Sequence, residues 1–220
     1  MNLSVKKTTL AECKDLILNK HYAKRSPCVS FAYGLYFGDE LLGCCTFGKP
    51  ASYTLCDGVC GKAYSKIVWE LNRLVLYSNE KNHASFLVSG SIRLMPKPSV
   101  IVSFADTAAG HVGTVYQASN FIYTGVSPAQ KYYKLKTTEE SGGYRRRARM
   151  AKSRIISEYG PEFVEEYFST PKHRYVYIHA SGGVKKQLLS ALRYTQRPYP
   201  KRQENFSGEN LAGGSFPFIP

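Results

Sequence analysis

The chain has 220 residues and a net charge of +14, from 30 Lys and Arg against 16 Asp and Glu. That length suits one large domain or a domain with an appended lobe, and the positive field points to a polyanionic partner such as nucleic acid. No apolar run approaches the ~18 residues that cross a bilayer and residues 1–7 give no secretory signal, so a cytoplasmic protein with no membrane partner is predicted.

Residues 8–20 place Leu10, Cys13, Leu16 and Ile17 on one helical face, and His21-Tyr22 and a basic loop follow. Residues 29–37 and 41–47 are β-rich runs joined by Gly38-Asp39-Glu40, which predicts a hairpin. Residues 49–65 read as a polar loop. Residues 67–77 read as a strand interrupted by Glu70 and Arg73, and residues 84–95 as a helix that Pro96 ends. A buried strand over 99–105 ends at Asp106, a helix is predicted over 110–119, and strands over 121–125 and 131–136. Ser141-Gly142-Gly143 opens a joint before a cation-dense helix over 144–159, whose charges would repel one another without phosphates beside them. A strand over 173–178 and a basic helix near 185–194 follow, and 204–220 reads as a loose tail.

Cys13, Cys28, Cys44, Cys45, Cys56 and Cys60 read as reduced thiols. Cys56 and Cys60 lack the second ligand pair that a structural zinc site usually shows, and no metal site is predicted. The 17 tyrosines suit either base stacking or strand packing.

These elements make a mixed, mostly antiparallel sheet flanked by helices. Their order resembles the GNAT acyltransferase fold, with a catalytic core over 1–136, a basic DNA-binding extension over 137–203 and the tail beyond it. That resemblance implies acetyl-CoA or a related acyl donor. It also implies that Tyr116 is the acid that protonates the leaving thiolate; the residue pattern alone equally allows a core tyrosine on an amphipathic helix.

His21-Tyr22, Glu70-Leu71-Asn72-Arg73-Leu74, Phe104-Ala105-Asp106, Gly110-His111-x-Gly113-x-x-Tyr116, Asn120-Phe121, Lys172-His173-Arg174-Tyr175 and Pro198-Tyr199-Pro200-Lys201 together resemble the Mom family of bacteriophage DNA-modification proteins. The resemblance runs from about His21 to Lys201. It implies transfer of a methylcarbamoyl-type group to the N6 of adenine in double-stranded DNA, which shields phage DNA from restriction.

That chemistry needs a proton acceptor for a weakly nucleophilic amine and a cation for the developing oxyanion. Asp106, at a strand end, suits the acceptor, or alternatively caps the next helix. Arg73 needs a partner, either an anionic ligand or Glu70. His21, Tyr22 and His111 are positioned to reach base or donor, and His21 also suits the end of its helix. Asn82, His83 and Ser85 open a helix whose free N–H groups favour a donor pyrophosphate. His21, His111 and Asp106 also offer a set for iron, although no spacing demands it. Arg145, Arg146, Arg147, Arg149, Lys152, Arg154, Lys185, Lys186 and Arg193 are predicted to hold phosphates, and base flipping with aromatic stacking is expected. A homodimer is a further possibility.

Two other classes compete. One is a GNAT-type N-acetyltransferase acting on a protein or small amine, against which residues 79–85 read NEKNHAS where a Gly-x-Gly loop is expected. The other is a non-catalytic basic DNA-binding protein, for which no helix-turn-helix or zinc-finger spacing is present.

Overall fold

A computed structural model describes residues 2–136 and 150–201. The first helix opens on a capping box between Thr9 and Glu12. The Thr9 hydroxyl accepts the Glu12 N–H at 3.3 Å, and the Glu12 carboxylate accepts the Thr9 N–H at 2.8 Å. Helix α1 (Leu10–Asp15) passes into a π turn (Leu16–Lys20) that ends at His21. Ahead of it, strand β1 (Leu3–Lys7), which is not among the predicted elements, pairs antiparallel with β2 (Phe31–Phe37). Strands β2 and β3 (Glu40–Gly48) form the expected hairpin, with Gly38 left-handed in its turn.

The segment expected as a loop over 49–65 instead contains α2 (Tyr53–Cys60), followed by a 3-10 turn (Lys62–Ile67). Ser52 caps α2 through the Leu55 N–H. Cys56, Val59 and Cys60 fill its buried face, a helical spacing that Gly58 and the polar flanks obscured. Burial pushes both thiols up, Cys60 to about 11, so these cysteines are core groups.

Strand β4 (Val68–Leu76), α3 (His83–Leu94) and β5 (Ser99–Asp106) fall where the pattern predicts them. The helix expected over 110–119 is only α4 (Thr114–Ala118), because Gly110 and Gly113 hold left-handed backbone before it. A Cβ on Gly113 would stand 2.5 Å from the Tyr175 ring. After β6 (Ile122–Ser127), β7 (Lys131–Leu135) leaves the main sheet. It pairs with β8 (Val164–Phe168) in a separate ribbon against which α5 (Lys152–Tyr159) packs. Strand β9 (Lys172–His179) returns to the main sheet, and α6 (Gly182–Ser190) packs on it.

The main sheet runs β1-β2-β3-β4-β5-β9-β6, and only the β4–β5 pair is parallel. It is the mixed, mostly antiparallel sheet expected. It does not end at residue 136, because β9 comes from the stretch expected as the extension. Leu87, Val88 and Ile92 of α3 pack on one face against Leu35, Phe47 and Ile101. On the other face, Val59 of α2 and Leu188 of α6 meet Val68, Val102 and Val176, while Leu16 and Ile17 meet Ala32, Cys44 and Val75. Each face excludes water through apolar contact, the main favourable term in folding. No described helix is long and apolar enough to cross a membrane.

Candidate active site

Strands β4 and β5 pair only through Val68–Val100, Trp69–Ile101 and Glu70–Val102. Beyond Glu70 they diverge, and the Ser103 hydroxyl reaches back across the split to the Leu71 carbonyl at 3.1 Å. The divergence opens a cleft of about 920 Å³, large enough for a base together with the arm of a donor. His21, Tyr22, Arg73, Asp106, His111 and Tyr116 all line it. The fold thus gathers these sequence-derived candidates from the end of the first helical segment, two strands and the loop leading into α4.

The cleft holds its polar groups in unequal states. Burial, then the charges of Arg73 and His111, pull the His21 imidazole down to about 4, so it is neutral near pH 7. Its Nδ1 accepts the Ala23 N–H at 3.0 Å, which leaves the ring proton on Nε2 as a donor. Tyr22 stacks on His21, meets His111 edge to face, and is 60% exposed at the mouth. Arg73 makes no ion pair with Glu70. Its terminal nitrogens donate to the Asn72 and Arg25 carbonyls, and its buried Nε has no partner among the described residues. Burial foremost, then Arg25, draws its pKa down.

The two carboxylates differ more sharply. Asp106 Oδ1 accepts the Ala108 N–H and the Thr170 hydroxyl, each at 3.0 Å, and Oδ2 pairs with Lys172 at 3.1 Å. Burial alone would raise its pKa, but these donors outweigh burial and hold it below the usual carboxylate value. Asp106 also caps the 3-10 turn Thr107–Ala109. Glu70 lines the same cleft and has no such partners among the described residues. Burial pushes its carboxyl up, only partly offset by the charges of Lys172, Arg73 and Arg25. Sequence reasoning had treated Glu70 only as a partner for Arg73, and had not singled out Lys172. Both stand in the runs that carry the family resemblance.

Tyr116 packs against Phe121 and Tyr175. Burial pushes its hydroxyl up to about 12 despite the offsetting Ser103 hydrogen bond, so it keeps its proton at any physiological pH. The loop before it is pinned from β9. The Tyr175 hydroxyl donates to the Val112 carbonyl, and the two N–H groups of Gln117 Nε2 are shared among the Val112 carbonyl, the Tyr175 hydroxyl and the Pro200 carbonyl.

Other candidates lie elsewhere. Asn82, His83 and Ser85 are at the start of α3, outside the cleft lining, although Asn79 reaches its rim. The Ser85 hydroxyl donates to the Asn82 carbonyl. Arg145, Arg146, Arg147 and Arg149 lie outside the described residues. Arg154 pairs with Glu158 at 2.7 Å, and the Lys152 ammonium faces the Tyr133 ring. Lys185 and Lys186 stand exposed on α6. Among the described residues, no three His, Cys, Asp or Glu side chains gather as a metal set, so the iron option from His21, His111 and Asp106 goes no further.

The Mom protein family matches over residues 2–201. The chain belongs to this family. The methylcarbamoylase Mom of Escherichia phage Mu is 30% identical over 128 residues, a match that spans 56% of this chain and 53% of that relative. The chain therefore aligns with about half of the relative's length. Among solved structures, a Bacillus subtilis acetyltransferase in complex with CoA gives a TM-score of 0.43 at 15% identity, over 80% of this chain and 99% of that one. A putative acetyltransferase from Salmonella typhimurium with acetyl-CoA gives 0.46 at 10% identity, over 83% and 97%.

Proposed function

We propose that this Mom-family chain is a DNA-modification enzyme that transfers an acyl-type group, of the methylcarbamoyl kind, from an acyl-CoA-like donor to the N6 of a flipped adenine, and so protects phage DNA from restriction. The observation that carries this reading is the β4–β5 cleft. Among the described residues, it places a carboxylate free of hydrogen-bond partners, an arginine with an orphaned Nε and a tyrosine held protonated around one space.

The donor supplies an electrophilic carbonyl and a thiol leaving group. Glu70 takes the proton that the adenine amine loses as its nitrogen bonds to that carbonyl. Its raised pKa makes it a better proton acceptor than Asp106. Arg73 supports the oxygen on which charge develops, and an Nε freed from other bonds strengthens that role. Tyr116 gives its proton to the departing sulfur as the carbon–sulfur bond breaks. Neutral His21 donates from Nε2, and exposed Tyr22 stacks on the extruded base. His111 closes the donor side beside Tyr22. Asp106 holds Lys172 and the 107–113 loop in place. The start of α3, with Asn82, His83 and Ser85, takes the donor's anionic end. Lys152, Lys185 and Lys186 hold DNA phosphates without reading sequence.

Nucleoside mass spectrometry of DNA from cells producing the chain tests the reading. A heavier deoxyadenosine that appears only with the chain is expected, and its mass identifies the group. Unmodified DNA alongside soluble, folded protein would contradict the proposal.

A further inference from the structure

A second cleft, of about 540 Å³, lies at the β6 edge and is lined by Tyr123, Thr124, Arg174, Arg193, Tyr194 and Arg197, among others. Three guanidinium groups face one concavity. Among the described residues none of the three has an ion pair. Such a concentration of cations is costly unless an anion answers it.

The cleft is built rather than incidental. Pairing of β6 with β9 skips between Tyr123 and Val126, a bulge that leaves Thr124 and Gly125 out of the ladder. Arg174 uses the bulge: its Nε donates to the Thr124 hydroxyl at 2.9 Å and its Nη2 to the Thr124 carbonyl at 3.3 Å. Its guanidinium carbon sits 3.4 Å from the centre of the Tyr194 ring, which fixes the plane of the fork. Gly125, at φ +87, gives way to Arg197, whose Cδ would lie 3.1 Å from any Cβ placed there. The chain carrying the other two arginines is anchored by backbone bonds, from the Arg193 N–H to Val59 and from the Arg197 N–H to Tyr123, each at 2.9 Å. The Arg193 and Arg197 side chains are exposed and, among the described residues, make no hydrogen bond.

We propose that Arg174, Arg193 and Arg197 form a phosphate site for the DNA strand next to the base being modified, an inference that rests on the function proposed above. Planar guanidinium forks suit phosphate oxygens, which they bind in pairs. The location fits. Lys172 lines the reaction cleft and Arg174 lines this one; they are two residues apart on one face of β9, about 7 Å along the strand. A strand whose base enters the first cleft thus lays its backbone over the second. The same phosphate chemistry would also suit the phosphates of a CoA-type donor, and the test separates the two.

The test is fluorescence anisotropy of a labelled DNA duplex against the full chain over a salt series. Arg193→Ala/Arg197→Ala is compared with wild type and with Lys7→Ala/Lys14→Ala, which removes two charges from the β1 end of the molecule. Calorimetric binding of CoA is measured in parallel. The arginine pair should weaken DNA binding about tenfold or more and lower the log–log salt slope by roughly 1.8, or about 0.9 per lost phosphate contact. The lysine pair should leave the slope close to wild type, and CoA affinity should stay within about twofold. An unchanged slope in the arginine pair overturns the site, as does an equal loss in the lysine pair. Weakened CoA binding with an unchanged DNA slope assigns the cleft to the donor and overturns it too. Wild type that binds no DNA defeats both this proposal and the function beneath it, whereas wild type that binds and a variant that binds identically defeat this proposal alone.

Discussion

The β4–β5 cleft and the basic periphery use charge in opposite ways. In the cleft, Glu70, Arg73, His21 and Tyr116 are drawn out of water, and burial is the first cause of each displaced pKa. On the periphery, Lys185, Lys186, Arg193 and Arg197 stay exposed. Desolvation there would only weaken their hold on a solvated polyanion. Chemistry needs groups whose protonation is tuned, and backbone binding needs only positive charge in the right places. The difference teaches where to look for each: reactive groups where burial is costly, phosphate contacts at exposed cations, with half-buried Arg174 as the anchor beside two of them.

The largest effect that could break this division comes from Glu70. Glu70→Gln should lower the single-turnover rate by roughly 10²–10⁴-fold, as loss of a general base does. The wild-type rate should climb with pH through the raised Glu70 pKa, and the residual rate of the variant should lack that limb. The sign for stability is opposite. A carboxyl whose folded pKa is raised favours the fold at low pH and loses that favour as pH rises through it, so Glu70→Gln should melt at or above the wild-type temperature near pH 7. A variant that is slow because it is unfolded would show a lower melting temperature instead.

Tyr116→Phe keeps the ring that packs on Phe121 and Tyr175 and removes only the proton donor. About a 10²-fold fall in rate with little change in melting is expected. With the hydroxyl near 12, no descending limb from this acid should appear below that pH in wild type.

Asp106 sharpens the comparison from the structural side. Asp106→Ala removes acceptors used by Ala108, Thr170 and Lys172, and should cost about 1–2 kcal/mol in chemical denaturation. Asp106→Asn keeps an acceptor for the Ala108 N–H and should lose no more than about tenfold in rate. A collapse of rate in Asp106→Asn with full stability would move the proton-accepting role back to Asp106.

A last effect is on acid stability. His21 falls from 6.5 to about 4 in the fold, so its contribution is present above pH 6.5 and lost as pH drops toward 4. Melting temperatures across that window should fall less steeply in His21→Gln than in wild type.

Strong local patterns were legible in the sequence. The first helix, the β2–β3 hairpin, α3 and β5 each carry a clear period, and β4 keeps an apolar period although Glu70 and Arg73 interrupt it. The segment that became α2 was misread because Gly58 and polar neighbours break up an otherwise helical spacing of Cys56, Val59 and Cys60. The site was half legible. His21, Tyr22, Arg73, Asp106, His111 and Tyr116 do meet in one cleft, but the partners of Asp106 come from a distant stretch, Thr170 and Lys172. Only the insertion of β9 beside β5 brings them in, and no local pattern announces it. The same insertion, with the β6 bulge, assembles Arg174, Arg193 and Arg197 from stretches that look like ordinary basic surface.

The most direct test is nucleoside mass spectrometry of DNA from cells producing wild type, Glu70→Gln or Asp106→Asn at matched soluble levels. The account predicts a modified deoxyadenosine with wild type, a clear but reduced amount with Asp106→Asn, and none above background with Glu70→Gln. Full modification by Glu70→Gln, or its loss in Asp106→Asn alone, would contradict it.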